Sequence, residues 1–199
     1  MYSKNIVLFL LLGFYGCEKQ SEYNYSGLEN ASLLSTYLPV DITDVKFEST
    51  DKASEQIFPS DKISLVFFGF PGCASVCPTT MASLTDELKA LPKNKRNKYK
   101  VIFVNIDQEA DRGVVEEFLQ GYDARYIGII PRTSDDLKTL AKKFGAFSRK
   151  ALPGEKTNEK IIHSSQVYVV SPKKQWLGFY NFPILKGKIA SDLSKMTIF

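Results

Sequence analysis

The chain has 199 residues, 44% hydrophobic and 24% charged, which is enough for one globular domain with a full core and leaves little for a second. Its net charge of +4 is small, and its lysines are interspersed with carboxylates, so no broad electropositive face is expected and nucleic acid is set aside as a partner. The one local basic run is Lys93, Lys95, Arg96, Lys98 and Lys100. It falls between a predicted helix and a predicted strand and reads as a solvated loop, with docking to an acidic lipid or partner as the alternative.

The N-terminus carries Lys4, an apolar run over residues 6–12, then Gly13-Phe14-Tyr15-Gly16-Cys17 and an abruptly polar stretch from Glu18. That pattern predicts a short export signal, and the run is shorter than the roughly 18 residues that span a bilayer. A cysteine directly after a small residue at this point resembles the lipoprotein cleavage box, in which Cys17 becomes the lipid-modified first residue; an uncleaved signal anchor is the alternative. Either outcome places the domain on the extracytoplasmic (periplasmic) side, anchored to a membrane. Residues 18–38, rich in Ser, Asn, Glu and Tyr, read as a polar tether, which leaves 39–199 as the folded domain.

Residues 39–62 read as one or two short strands around a turn, with Val40, Ile42, Val45 and Phe47 facing inward. The apolar run 63–70 predicts a strand buried on both faces. Residues 78–91 place Met81, Leu84, Leu88 and Leu91 on one helical face, and Pro78 suits a helix's first turn. A second buried strand is predicted over 100–106 and a short helix over 114–120. Ser134 reads as an N-cap, with Asp135 and Asp136 in the first turn, Lys142 and Lys143 near the end and Gly145 as terminator. Residues 167–170 and 176–180 flank a turn and predict an antiparallel hairpin, followed by a closing helix over 184–196. The resulting order, βαβα then ββα, is the thioredoxin arrangement: an α/β fold with a central mixed sheet flanked by helices.

With Cys17 assigned to the anchor, Cys73 and Cys77 remain, at the exit of the first buried strand and immediately before Pro78. A structural disulfide there would close a small loop, so its stabilisation falls at the low end of the range of about 0–5 kcal/mol. A thiol at a helix N-terminus feels the positive end of the dipole and favours thiolate, the form that attacks disulfides and binds metals. The pair therefore reads as redox-active or as metal ligands. The chain's one histidine, His163, precedes the predicted hairpin.

The stretch Phe68-Gly69-Phe70-Pro71-Gly72-Cys73-Ala74-Ser75-Val76-Cys77-Pro78-Thr79-Thr80 resembles the signature of the Sco/SenC family of copper-binding proteins. The runs Val104 to Asp111, Tyr122 to Gly128 and His163 to Pro172 resemble further family stretches in the same order, so the resemblance covers 65–172. It implies a thioredoxin-like fold with an added N-terminal β-hairpin. It also implies one copper ion, Cu(I) and/or Cu(II), held by Cys73, Cys77 and His163. The implied task is assembly of the binuclear copper centre of cytochrome c oxidase, with subunit II as the copper-accepting membrane partner. Two soft thiolates and an imidazole suit Cu(I), whereas structural zinc wants four protein ligands.

This chain departs from the family pattern at Ser75, where many members carry an acidic residue, and at Ile162, where many carry Asp. Asp107, Glu109 and Asp111 either supply such charge or form a solvated loop. The leading expectation is a copper metallochaperone rather than an enzyme. A membrane-anchored thiol-disulfide oxidoreductase, needing Cys73 and Cys77 but not His163, is the alternative, and a cysteine peroxidase is a weaker third.

Overall fold

The computed structural model describes residues 25, 27–51, 57–123 and 125–196. The chain runs β1 (Ser32–Pro39), β2 (Phe47–Ser49), β3 (Ile63–Gly69), α1 (Val76–Ala90), α2 (Lys93–Arg96), β4 (Tyr99–Asn105), α3 (Arg112–Gln120), β5 (Ile127–Pro131), α4 (Ser134–Lys143), β6 (Ser148–Lys150), β7 (Ile161–His163), β8 (Val167–Val170), β9 (Gln175–Tyr180) and α5 (Lys188–Lys195). Seven strands form one sheet in the order β1-β9-β8-β3-β4-β5-β2, and β6 pairs with β7 in a separate two-stranded ribbon. β3 runs parallel to β4, and β4 to β5, while β8 lies antiparallel to β3 and β9 to β8. This is the mixed central sheet of the thioredoxin-like class.

Every residue of β3 is buried, as a central strand covered on both faces by helices requires. Phe67 and Phe68 point to opposite faces. On one face Phe67 meets Phe103; on the other, Phe68 packs against Phe144 and Tyr168. α1 covers the sheet through Met81, Leu84 and Leu88, the spacing read from sequence. α5 docks against α1 through Glu87, whose buried carboxylate accepts from the backbone N–H groups of Gly187 and Ala190, the latter at 2.7 Å. These are donors that the first turn of a helix cannot satisfy internally, so α1 supplies the cap that Gly187 lacks.

Several expectations need correction. Residues 32–38, read as the end of the polar tether, form β1 together with Pro39, an edge strand paired with β9. Its Leu33, Tyr37 and Leu38 are exposed, so the strand carries no burial alternation by which to be recognised. The two N-terminal strands do not pair as a hairpin; β1 extends one edge of the sheet and β2, on β5, the other. β5 falls in no predicted strand because Gly128 and Pro131 interrupt a five-residue run. A Cβ at Gly128 would sit 2.6 Å from Val115 Cγ1, so glycine is what lets α3 approach the strand. The cap of α4 is Thr133, whose hydroxyl accepts from Asp136 N, one residue before the predicted Ser134.

The basic run is partly folded into the structure. Lys93–Arg96 is α2; Lys95 donates to the Ser194 carbonyl at the end of α5, Arg96 donates to Leu91 O at 2.8 Å, and Lys100 pairs with Asp51 at 3.7 Å. Cys17 and the segment read as an export signal lie outside the described residues. Among those residues, no helix is long and apolar enough to cross a membrane.

Candidate metal centre

Sheet register explains why two distant segments meet. β3 ends at Gly69 and hands the chain to the Cys73–Cys77 loop, while β8, antiparallel beside it, begins at Val167 opposite Phe67. Whatever follows β3 and whatever precedes β8 must therefore emerge at the same end of the sheet. His163 is the last residue of β7, four positions before β8 starts. The β6–β7 ribbon fixes it there, with Ser148 opposite His163, Phe147 N donating to Ser164 Oγ at 2.9 Å and Ser164 N donating to Phe147 O at 3.0 Å.

One ligand atom from each of Cys73, Cys77 and His163 lies within 4.8 Å of the others, and Cys77 Sγ is 3.6 Å from His163 Nε2. The imidazole is oriented by its other nitrogen. Nδ1 stands 2.7 Å from the Ser164 carbonyl oxygen, which can only accept, so Nδ1 carries a proton and Nε2 faces the sulfurs. Edge-on packing against Phe67 and Phe70, with ring centroids 6.1 and 5.9 Å away, holds the ring plane.

Both thiols are buried, Cys77 completely, and neither forms a disulfide. Close approach is possible because position 69 is glycine: a Cβ there would stand 2.8 Å from Cys77 Sγ. Cys77 lies in the first turn of α1, and its N–H points at Cys73 Sγ at 3.3 Å, so the sulfur takes a donor the helix leaves free. The side-chain hydrogen bond from Cys77 pulls the Cys73 thiol far below its ordinary value, against burial and with help from the His163 ring and then from the Cys77 and Ser75 N–H groups. Cys77 moves the other way, its proton held by that same bond, by burial and by the negative charge of Cys73 and Glu159. Tyr122 also faces this charge, which adds to burial in raising its phenol.

The acidic loop does not join the cluster. Asp107 pairs with Lys160 at 2.7 Å, Glu109 with Lys160 at 3.6 Å and Lys150 at 3.4 Å, and Asp111 caps α3 through Val114 N at 3.0 Å. Its carboxylates fasten the ribbon that carries His163 instead of facing the ligand atoms. The stretch around Asp123 is likewise structural: Arg125 pairs with Asp123 at 2.7 Å, and the Tyr126 hydroxyl meets Thr85 Oγ1 at 3.0 Å. The carboxylate that does reach the cysteine loop is Glu159, which the sequence reading passed over. Ser75 donates to it at 2.9 Å, so an acid stands beside position 75 although residue 75 is not acidic. Its place four residues before His163 was the available signal.

Residues 39–197 match the family model SCO1/SenC. A SCO2-like protein of Rickettsia conorii is 31% identical over 137 residues, a stretch spanning 66% of this chain and 65% of that relative's length. Yeast Sco1, solved with copper bound, superposes with a TM-score of 0.63 at 22% identity, covering 79% of this chain and 86% of the other. BsSco, a member of the Sco family of cytochrome c oxidase assembly proteins in which a disulfide switch was identified, gives a TM-score of 0.60 at 22% identity, covering 82% and 98%. At that identity the two structures bear on the fold, and both share it. The extent of the family match, over a domain whose two cysteines and histidine converge at one end of the sheet, places the chain in the SCO1/SenC family.

Proposed function

We propose that the protein binds one copper ion through Cys73 Sγ, Cys77 Sγ and His163 Nε2 and passes it on during assembly of the copper centre of cytochrome c oxidase, subunit II being the acceptor. The single observation that carries this reading is the convergence of those three atoms within 4.8 Å, the imidazole already oriented through Nδ1 with Nε2 toward the sulfurs. The donor set fits. Two thiolates and an imidazole favour Cu(I), and among the described residues no fourth Cys, His, Asp or Glu completes the shell that structural zinc takes. Copper is cargo in this reading. The residues bind it in a half-buried, aromatic-walled corner and give it up to a partner whose ligands approach from the open side. The names of yeast Sco1 and BsSco support the metal and the assembly role.

The domain would work at an extracytoplasmic membrane surface, tethered through lipid on Cys17. The test is titration of the reduced protein with Cu(I) against a chromophoric chelator. One equivalent should bind, and His163→Ala should lose affinity sharply, by about 100-fold or more. A His163→Ala protein that binds as tightly as the wild type refutes the three-ligand site.

The asymmetry of the two thiols favours a second reading, thiol-disulfide exchange. Cys73, held as thiolate, would attack a partner disulfide and release one partner sulfur as thiolate. Cys77, giving its proton to the released partner thiolate, would then attack Cys73 Sγ in the mixed disulfide and expel the second partner sulfur as thiolate, leaving a Cys73–Cys77 disulfide and a partner reduced by two electrons. Exchange activity that survives in His163→Ala, with metal binding lost, selects this role.

A further inference from the structure

Glu159 joins the two halves of the metal corner. Its carboxylate oxygens each lie 3.2 Å from Ala74 N, and Oε1 accepts from Ser75 Oγ at 2.9 Å. Ala74 and Ser75 are the residues next after Cys73 in the inter-cysteine loop, whereas Glu159 leads into β7 and so into His163. One side chain therefore ties the segment bearing the sulfurs to the segment bearing the imidazole.

Three features make this more than a passing surface contact. Glu159 is half-buried, and its own N–H donates to Thr157 Oγ1 at 3.1 Å, which fixes the turn that aims it. The adjacent Lys160 turns away to Asp107, so no ion pair among the described residues neutralises Glu159. Its carboxylate also stands beside the site, held on the N–H of the residue that directly follows Cys73. A carboxylate receiving an N–H and an O–H makes charge-assisted bonds, roughly twice as strong as neutral ones.

We infer that Glu159 is a positioning residue of the metal corner: it latches the inter-cysteine loop to the His163 arm, so that the three ligand atoms are gathered before a cation arrives, and it leaves one uncompensated negative charge beside them. The inference rests on the copper reading for the identity of the cation. The latch itself belongs to the metal-free protein and can be measured there.

The experiment compares the full-length reduced wild type with Glu159→Ala, Glu159→Gln, Ser75→Ala, the Glu159→Ala/Ser75→Ala pair and His163→Ala. Amide exchange of the metal-free proteins and Cu(I) competition are the readouts. Glu159→Ala should raise exchange at Ala74 and across residues 159–163, and weaken Cu(I) binding by about 10–100-fold, the usual effect of losing a group that orients ligands. Glu159→Gln, which keeps an acceptor oxygen but not the charge, should recover the exchange protection and only part of the affinity. Ser75→Ala should cost less than Glu159→Ala, and nothing further when added to it, since both remove the same contact. If Glu159→Ala binds Cu(I) like the wild type while His163→Ala does not, the latch is refuted and the copper site stands. If the wild type binds no copper, the copper reading falls, and unchanged exchange at Ala74 in Glu159→Ala would then refute the latch as well.

Discussion

Replacing Gly69 with alanine tests how closely the sulfur of Cys77 is packed into the end of β3. The added Cβ would meet Cys77 Sγ at 2.8 Å, Phe67 Cε1 at 2.8 Å and Phe103 Cε2 at 2.9 Å, where ordinary contact begins at 3.4 Å. All three neighbours are fully buried, so none can swing into solvent to relieve the clash. Forcing a methyl into such a site costs about 1–3 kcal/mol. For a chain of this size that lowers Tm by about 2–12 °C. Relief also requires a displacement of roughly 0.6 Å, larger than the roughly 0.2 Å tolerance of a metal–ligand distance, so Cu(I) affinity should fall together with stability. Gly72→Ala is the control, since its Cβ would meet only the Phe70 ring at 3.7 Å. Scanning calorimetry of the metal-free proteins and Cu(I) competition read the two effects. A Gly69→Ala protein that melts and binds as Gly72→Ala does would show that the sulfur is not confined as the geometry requires.

Two further outcomes follow from buried groups. Glu87→Ala leaves the N–H groups of Gly187 and Ala190 without their acceptor. At about 1–3 kcal/mol for each such group, discounted because the contacts are part-buried, the loss is about 2–4 kcal/mol, and urea denaturation should show Glu87→Gln to be milder. Alkylation with iodoacetamide should label Cys73 as thiolate well below pH 7, while Cys77 stays protected, because the shared hydrogen bond lowers the first thiol and raises the second. A pH–rate profile for Cys73 centred near that of a free thiol, about pH 8.5, would contradict the arrangement.

What could be read in advance follows the strength of the local signal. Residues 63–70 and 100–106 were legible as buried strands because burial on both faces leaves an unbroken apolar run, and they are β3 and β4. α1, α3 and α4 follow from helical spacing and caps. β1 was not legible, because an edge strand held by backbone pairing to β9 asks nothing of its side chains. Nor was β5, where packing against α3 demands a glycine that strand propensity disfavours. β6 and β7, three residues each, are too short to show a period. Cys73, Cys77 and His163 stood out by their chemistry and their resemblance to the Sco/SenC signature. Glu159 was passed over because its contact with the cysteine loop spans 84 residues of chain, and the parts played by Gly69 and the Ser164 carbonyl appear only once Cys77 and His163 are placed beside them.

Those unannounced contacts determine what the site can be. Cysteines at the end of a strand and the start of a helix need no more than a thioredoxin-like frame, and such a frame alone gives a redox pair. A metal site requires a third ligand delivered from another segment, and the sheet order allows it only because β8 is antiparallel to β3, so that the chain approaching β8 passes over the sulfurs. The arm would still swing as a loop if it were not fastened. Ser148 pairs it with β6, Asp107 grips it through Lys160, and Glu159 joins it to the cysteine loop. Loosening the first two ties one at a time should therefore degrade metal binding while sparing the thiol pair, because each holds the His163 arm without touching the cysteine loop, whereas loosening the Glu159 tie disturbs both segments. The two proposed roles, copper binding and thiol exchange, would thus part along the ribbon formed by β6 and β7.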